Sequence, residues 1–136
     1  MTMMTIAALN DFLGSAFEED PGQVLELSEK HVLMQLQAGE RHLRPGGTVS
    51  GPTMMALADA AMYALILGNI GPVALAVTTS LNINFYRKPQ PGPLHARAVM
   101  LKLGQRLAVG DVLLFGDDPD QSVAQASVTY SIPPRR

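Results

Sequence analysis

The chain has 136 residues and no cysteine, and ten Lys and Arg against twelve Asp and Glu leave a net charge of −2. This is the length of one domain, which excludes a second, while the missing thiol excludes a disulfide framework, cysteine-ligated zinc or iron–sulfur sites and a thiol nucleophile. The balanced charge gives no electrostatic footprint for nucleic acid. Charged residues are only 16% of the chain, against about 25% in ordinary soluble domains, a deficit that points to surface hidden by self-association.

Met1 to Ala16 lacks a basic leader and carries Asn10 and Asp11, so no signal peptide is read there. Ile6, Leu9, Leu13, Ala16 and Phe17 recur at helical spacing, which predicts a short amphipathic helix within residues 1–20, ending at the Glu18–Gly22 break. Residues 23–28 and 31–38 alternate apolar and polar positions around Glu29-Lys30 and read as a hairpin. Residues 40–48 form a loop rich in Arg, Pro and Gly.

One long helix follows, with Ser50 as N-cap, Pro52 in the first turn, and Gly68 or Asn69 closing it. It has no clear polar face, and a helix apolar all round is a buried helix. Its apolar stretch, Pro52 to Gly68, contains Asp59 and falls short of the roughly 20 residues a membrane span needs. A soluble, cytoplasmic chain with no membrane partner is expected. After Gly71-Pro72 the period changes to two. A long strand over 75–86 is followed by a turn at Pro89, Pro91 and Pro93. Strands over 94–103, 106–115 and 122–132 complete the pattern, and residues 133–136 are a short tail. The order predicts a single α+β domain over 1–136, with the last four strands in meander order and an antiparallel sheet wrapped around one central helix. On the long strand, Thr78, Ser80, Asn82 and Asn84 share one small, uncharged polar face. Such a face suits solvent, a polar ligand or a partner subunit, and the low charge favours the partner.

Asp59 is the sharpest chemical feature. An ionised carboxylate in an apolar helix costs several kcal/mol unless paired or hydrogen-bonded, and no Lys, Arg or His lies within four residues of it. It is either a carboxylate turned to a solvent gap or backbone group, or a base or nucleophile at a site. The run Gly46-Gly47-Thr48-Val49-Ser50-Gly51-Pro52 leads into the same helix. Helix N-termini present free N–H groups to developing negative charge, and since Pro52 has none, Gly51 is the donor to consider. Eight residues separate Gly51 from Asp59, roughly 12 Å along the axis, so a substrate bridging them within one subunit would be stretched, whereas in a site shared by two subunits one chain's Gly51 can face the other's Asp59. His31, His42 and His95 are scattered, which argues against a metal site. Ser50 lacks the Gly-x-Ser-x-Gly elbow of a serine nucleophile. Arg87, Lys88 and Arg106 sit at strand ends and turns, either as solvated edge charges or as phosphate contacts.

The run His42-Leu43-Arg44-Pro45-Gly46-Gly47-Thr48-Val49-Ser50-Gly51-Pro52, followed by Leu57-Ala58-Asp59, resembles the hotdog-fold acyl-CoA thioesterases of the PaaI (phenylacetate-degradation) type. Their signature is His-x-Asn-x-x-Gly-x-x-His-Gly-Gly and then Leu-Ala-Asp in a buried central helix. Asn82-Ile83-Asn84-Phe85-Tyr86-Arg87-Lys88-Pro89 is similar to the family's long strand and its turn, and the resemblance spans Gln23 to Ile132. It implies a hotdog fold and hydrolysis of an aryl- or short- to medium-chain acyl-CoA to acid and CoA. No cofactor is implied, and the assembly would be a homodimer or a homotetramer built as a dimer of dimers. Asp59 matches the catalytic carboxylate, Gly51 the glycine whose N–H polarises the thioester carbonyl, and Thr78 a hydroxyl that positions water. Arg44, Ser50, Asn82, Arg87, Lys88 and Arg106 are the implied substrate-binding candidates. Arg44 stands where the family has Asn, Ser50 where it has His, and Pro52 where it has the last Gly. Those departures leave open a non-catalytic hotdog protein that binds acyl-CoA.

Overall fold

In a computed structural model, which describes residues 1–134, two α-helices and a six-stranded antiparallel sheet are formed. Helix α1 covers Ile6–Ala16 and is capped by Thr5, whose hydroxyl accepts from the Ala8 N–H at 3.1 Å. It buries Leu9 and Leu13, and its Asn10 amide bonds both the N–H and the C=O of Val24 at 2.8 and 3.1 Å. That amide occupies main-chain groups of β1, Gln23–Leu27, a strand at the sheet's edge. Strand β2, His31–Ala38, pairs with β1 as the hairpin pattern predicted. A 3₁₀ turn at Glu40–His42 then leads to helix α2, Gly51–Ile70.

Helix α2 is longer than the sequence suggested. At 20 residues and a mean hydropathy of 1.4 it meets the length and composition of a membrane span, but 67% of that stretch is buried inside the fold. Gly68 and Asn69 do not close it. A Cβ at Gly68 would meet the Leu27 Cδ1 at 2.7 Å, so this glycine lets β1 pack against the helix. Asn69 donates to Leu65 O and Ser28 O at 2.9 and 3.2 Å. The helix stops at Gly71, whose φ of +98° is the left-handed geometry glycine adopts without penalty. Nor is the helix buried all round, since Pro52, Met55 and Ala56 are exposed in its first turns.

Strands β3 (Val77–Phe85), β4 (Gly92–Leu103), β5 (Leu107–Phe115) and β6 (Ser122–Ser131) complete a sheet of order β1-β2-β4-β5-β6-β3. The meander expectation holds for β4, β5 and β6 and fails for β3, which pairs with β6 at the far edge. The reason is the helix. Because α2 lies across the sheet, the chain leaves β2 on one side and re-enters on the other, and β4 returns to take the eight-residue ladder beside β2. The proline-rich segment after β3 is therefore a crossover, not a hairpin turn. Small residues set the spacing between layers: Ala96, Ala98, Ala108, Ala124 and Ala126 face the helix side with Ala58, Ala61 and Ala64 on α2, all fully buried. Of the tail expected over 133–136, Arg135 and Arg136 lie outside the described residues.

Candidate active site

Asp59 sits near the middle of α2 and is half-buried. Its partners come from across the fold rather than from its own helix. Thr78 Oγ1 donates to Asp59 Oδ1 at 2.6 Å, and Tyr130 Oη reaches the same oxygen at 2.8 Å and the Asp59 main-chain carbonyl at 3.2 Å. Thr78 is exposed and Tyr130 is only 3% exposed, so the carboxylate lies between an open sheet edge and the core. Burial, reinforced by the adjacent Asp59 carboxylate, pushes the Tyr130 phenol far above its usual range. Tyr130 therefore stays a hydrogen-bond donor.

The route by which Thr78 meets Asp59 corrects the strand reading. Simple alternation puts Thr78 on one face with Ser80, Asn82 and Asn84. In the ladder with β6, however, Thr78 pairs with Tyr130 and Ser80 with Thr129, so Thr79 is an extra residue. That bulge reverses the alternation. Thr78 turns to the helix side with Leu81 and Ile83, while Ser80, Asn82 and Asn84 are exposed on the opposite face. Asn82 is thus brought neither to Asp59 nor to the helix N-terminus.

A second group gathers at the start of α2. Gly46 and Gly47, with φ of +105° and +84°, turn the loop so that the Arg44 N–H donates to Thr48 O at 2.8 Å. Val49 N–H donates to Pro89 O, and Ser50 N–H to His42 O, both at 2.9 Å. These bonds bring the loop against the crossover after β3. The result is a cavity of about 320 Å³ lined by Arg44, Gly51, Met54, Phe85, Arg87 and Lys88. Ser50 acts as the helix cap. Its Oγ accepts from the Thr53 N–H at 3.2 Å and bonds Thr53 Oγ1 at 2.8 Å. Gly51 has its Phe85 neighbour 3.4 Å from where a Cβ would stand, and its N–H has no hydrogen-bond partner among the described residues. Arg106 lies elsewhere, lining a 410 Å³ cavity with Ile70, Gly104, Gln105, Ile132 and Pro134.

The candidate residues therefore fall into two groups, two candidate half-sites: a carboxylate with fixed donors, and a helix N-terminus with three cations beside it. Tyr130 is the residue that sequence reasoning missed. It follows Ala124, Ala126 and Val128 along the inward face of β6. A lone polar-tipped aromatic in such a row needs a partner for its hydroxyl, and that was the available signal.

A curled antiparallel sheet around one apolar helix, with a carboxylate on the helix and a glycine loop at its N-terminus, is the hotdog arrangement. The chain belongs to the thioesterase superfamily, whose sequence model matches residues 46–123. A "putative thioesterase" from Silicibacter sp. TM1040 has a structure similar to this one, with a TM-score of 0.89 at 46% identity over 98% of this chain and 95% of that one. A mutant of the phenylacetic acid degradation protein PaaI from Thermus thermophilus matches at a TM-score of 0.71 and 28% identity, covering 82% and 92% of the two chains. By sequence, the chain is 29% identical to "Putative esterase Ta0293" of Thermoplasma acidophilum over 110 residues, 81% of this chain and 82% of the relative.

Proposed function

We propose that this protein is an acyl-CoA thioesterase that hydrolyses aryl- or short- to medium-chain acyl-CoA, using Asp59 as general base or nucleophile and no cofactor. The observation that carries the reading is the Asp59 carboxylate, held at one oxygen by Thr78 and Tyr130 at 2.6 and 2.8 Å beside an open sheet edge. In the general-base form, Asp59 takes a proton from water as the water oxygen bonds to the thioester carbon. The Gly51 N–H, at the positive end of α2, stabilises the oxyanion. The intermediate collapses with cleavage of the C–S bond, and the departing thiolate recovers the proton from Asp59. Arg44, Arg87 and Lys88, which share the cavity at Gly51, suit the phosphates of CoA.

The two half-sites are about 12 Å apart along one helix, so the reading requires Gly51 of one subunit to face Asp59 of another. The shared site makes the working unit a homodimer, or a homotetramer of paired dimers. Support comes from β3, an edge strand whose Val77 and Phe85 are 55% and 47% exposed, and from Tyr86 just beyond it, 57% exposed. The exposed stripe of Pro52, Met55 and Ala56 on α2 adds to it.

A second reading, a non-catalytic acyl-CoA binder, is favoured by Ser50, whose hydroxyl is engaged in capping the helix. Hydrolysis of benzoyl-, butanoyl- and octanoyl-CoA by the wild type and Asp59→Ala separates the two. Turnover that falls at least about a hundredfold on losing the carboxylate is expected of the enzyme. Binding of these esters without hydrolysis by either protein supports the binder and overturns the enzyme.

A further inference from the structure

We propose that Tyr130 is a positioning residue for the Asp59 carboxylate, anchoring Oδ1 together with Thr78 so that Oδ2 is the oxygen presented to the reacting thioester or water. The inference rests on the reading of Asp59 as the catalytic carboxylate, and it adds a residue outside the 46–123 span that matches the family model. Tyr130 and Thr78 both donate to Oδ1, at 2.8 and 2.6 Å, and among the described residues no hydrogen bond is made to Oδ2. The two donors are direct cross-strand partners in the β3–β6 ladder, made so by the extra residue at Thr79. Without that bulge Thr78 would face away, and the paired anchor would not form.

The tyrosine is itself fixed. Its ring packs on Tyr63 at a centroid distance of 6.0 Å, and Tyr63 is held by its own hydroxyl on Ala74 O at 3.1 Å and by Phe17 edge-on at 5.9 Å. Tyr130 Oη also lies 3.2 Å from the Asp59 main-chain oxygen, so one hydroxyl registers the side chain against its own backbone. A rigid donor of this kind is preorganised: the carboxylate need not be reoriented when the substrate arrives. Asp59 is met by Thr78 from β3 and by Tyr130 from β6, with Tyr63 behind. Among the described residues no Lys, Arg or His forms an ion pair with it.

The test compares wild type, Tyr130→Phe, Thr78→Ala, the double variant and Asp59→Asn on the same three CoA esters, with melting temperatures measured in parallel. Tyr130→Phe is expected to lower kcat on the order of tenfold with KM changed less than twofold. The double variant should lose more than the product of the two single losses, because either donor alone still holds Oδ1. A kcat within twofold of wild type, a loss confined to KM, or purely multiplicative losses would overturn the proposal. A crystal structure of the double variant, in which neither donor remains, supplies a readout that needs no turnover. Asp59 in a second rotamer supports the inference, and Asp59 in its unchanged single rotamer sinks it. Wild-type inactivity on all three esters, or full activity of Asp59→Asn, instead removes the enzyme or carboxylate reading and is told apart by those arms.

Discussion

At Asp59, the apparent difficulty in the sequence was a charge without a partner inside an apolar helix. The fold resolves it with two hydroxyls from strands that lie 19 and 71 residues further along the chain. No local pattern could supply those partners, because hydrogen-bond pairing across a sheet depends on register. Tyr130 also gives the protein a pH signature. Its folded phenol is raised well above the ordinary tyrosine value of 10.0 by burial first and the Asp59 carboxylate second. Below that unfolded value both states keep the proton and the contribution is constant. As pH rises above it, the unfolded chain releases the proton first, and stability falls. Denaturant unfolding between about pH 8 and 11 should therefore show a declining alkaline limb, shallower in Tyr130→Phe. An identical limb in the variant would show that Tyr130 is not the group responsible.

Among the elements, the central helix was legible as one long apolar run behind an N-cap, and the long strands because period-two alternation covers most of their length. Ser50 as N-cap was readable for the same kind of reason: capping is a local interaction between a side chain and the next turn. The helix end was not. Gly68 reads as a stop, yet it is a packing glycine beneath Leu27, and only Gly71 has the positive φ of a true terminus. Gly110 on β5 makes a similar point. A Cβ there would lie 2.8 Å from Val99 O and 2.5 Å from Met62 Sδ, so a neighbouring backbone and the core of α2 both occupy the space. Gly110→Ala is expected to destabilise the protein by about 1–3 kcal/mol through overpacking. Chemical denaturation checks this, and an unchanged midpoint would mean that the sheet yields more easily than its packing implies.

For the whole molecule, the low charge noted in the sequence acquires a location. The buried α2 has one charged residue, Asp59, and the exposed edge strand β3 has none. An unprotected edge with apolar side chains is a template for pairing, and the proposed chemistry needs two copies to bring Gly51 to Asp59. Light scattering in dilute solution is expected to give at least twice the chain mass, and activity per chain should fall on dilution to monomer. A monomer that retains full activity would remove the shared site.

The sequence by itself determined the element types, the single core helix, the family resemblance and Asp59 as the one charge on that helix, since each is encoded in local period, capping or a contiguous motif. Tertiary structure decided the rest. It moved β3 beside β6 and gathered Arg44, Arg87 and Lys88 at Gly51. It also left Asn82 and Arg106 apart, and it gave Asp59 its two donors. The physical reason is the same in each case. Strand order and register are set by which ladders close around the helix, and one extra residue at Thr79 reverses which face every preceding side chain of that strand meets.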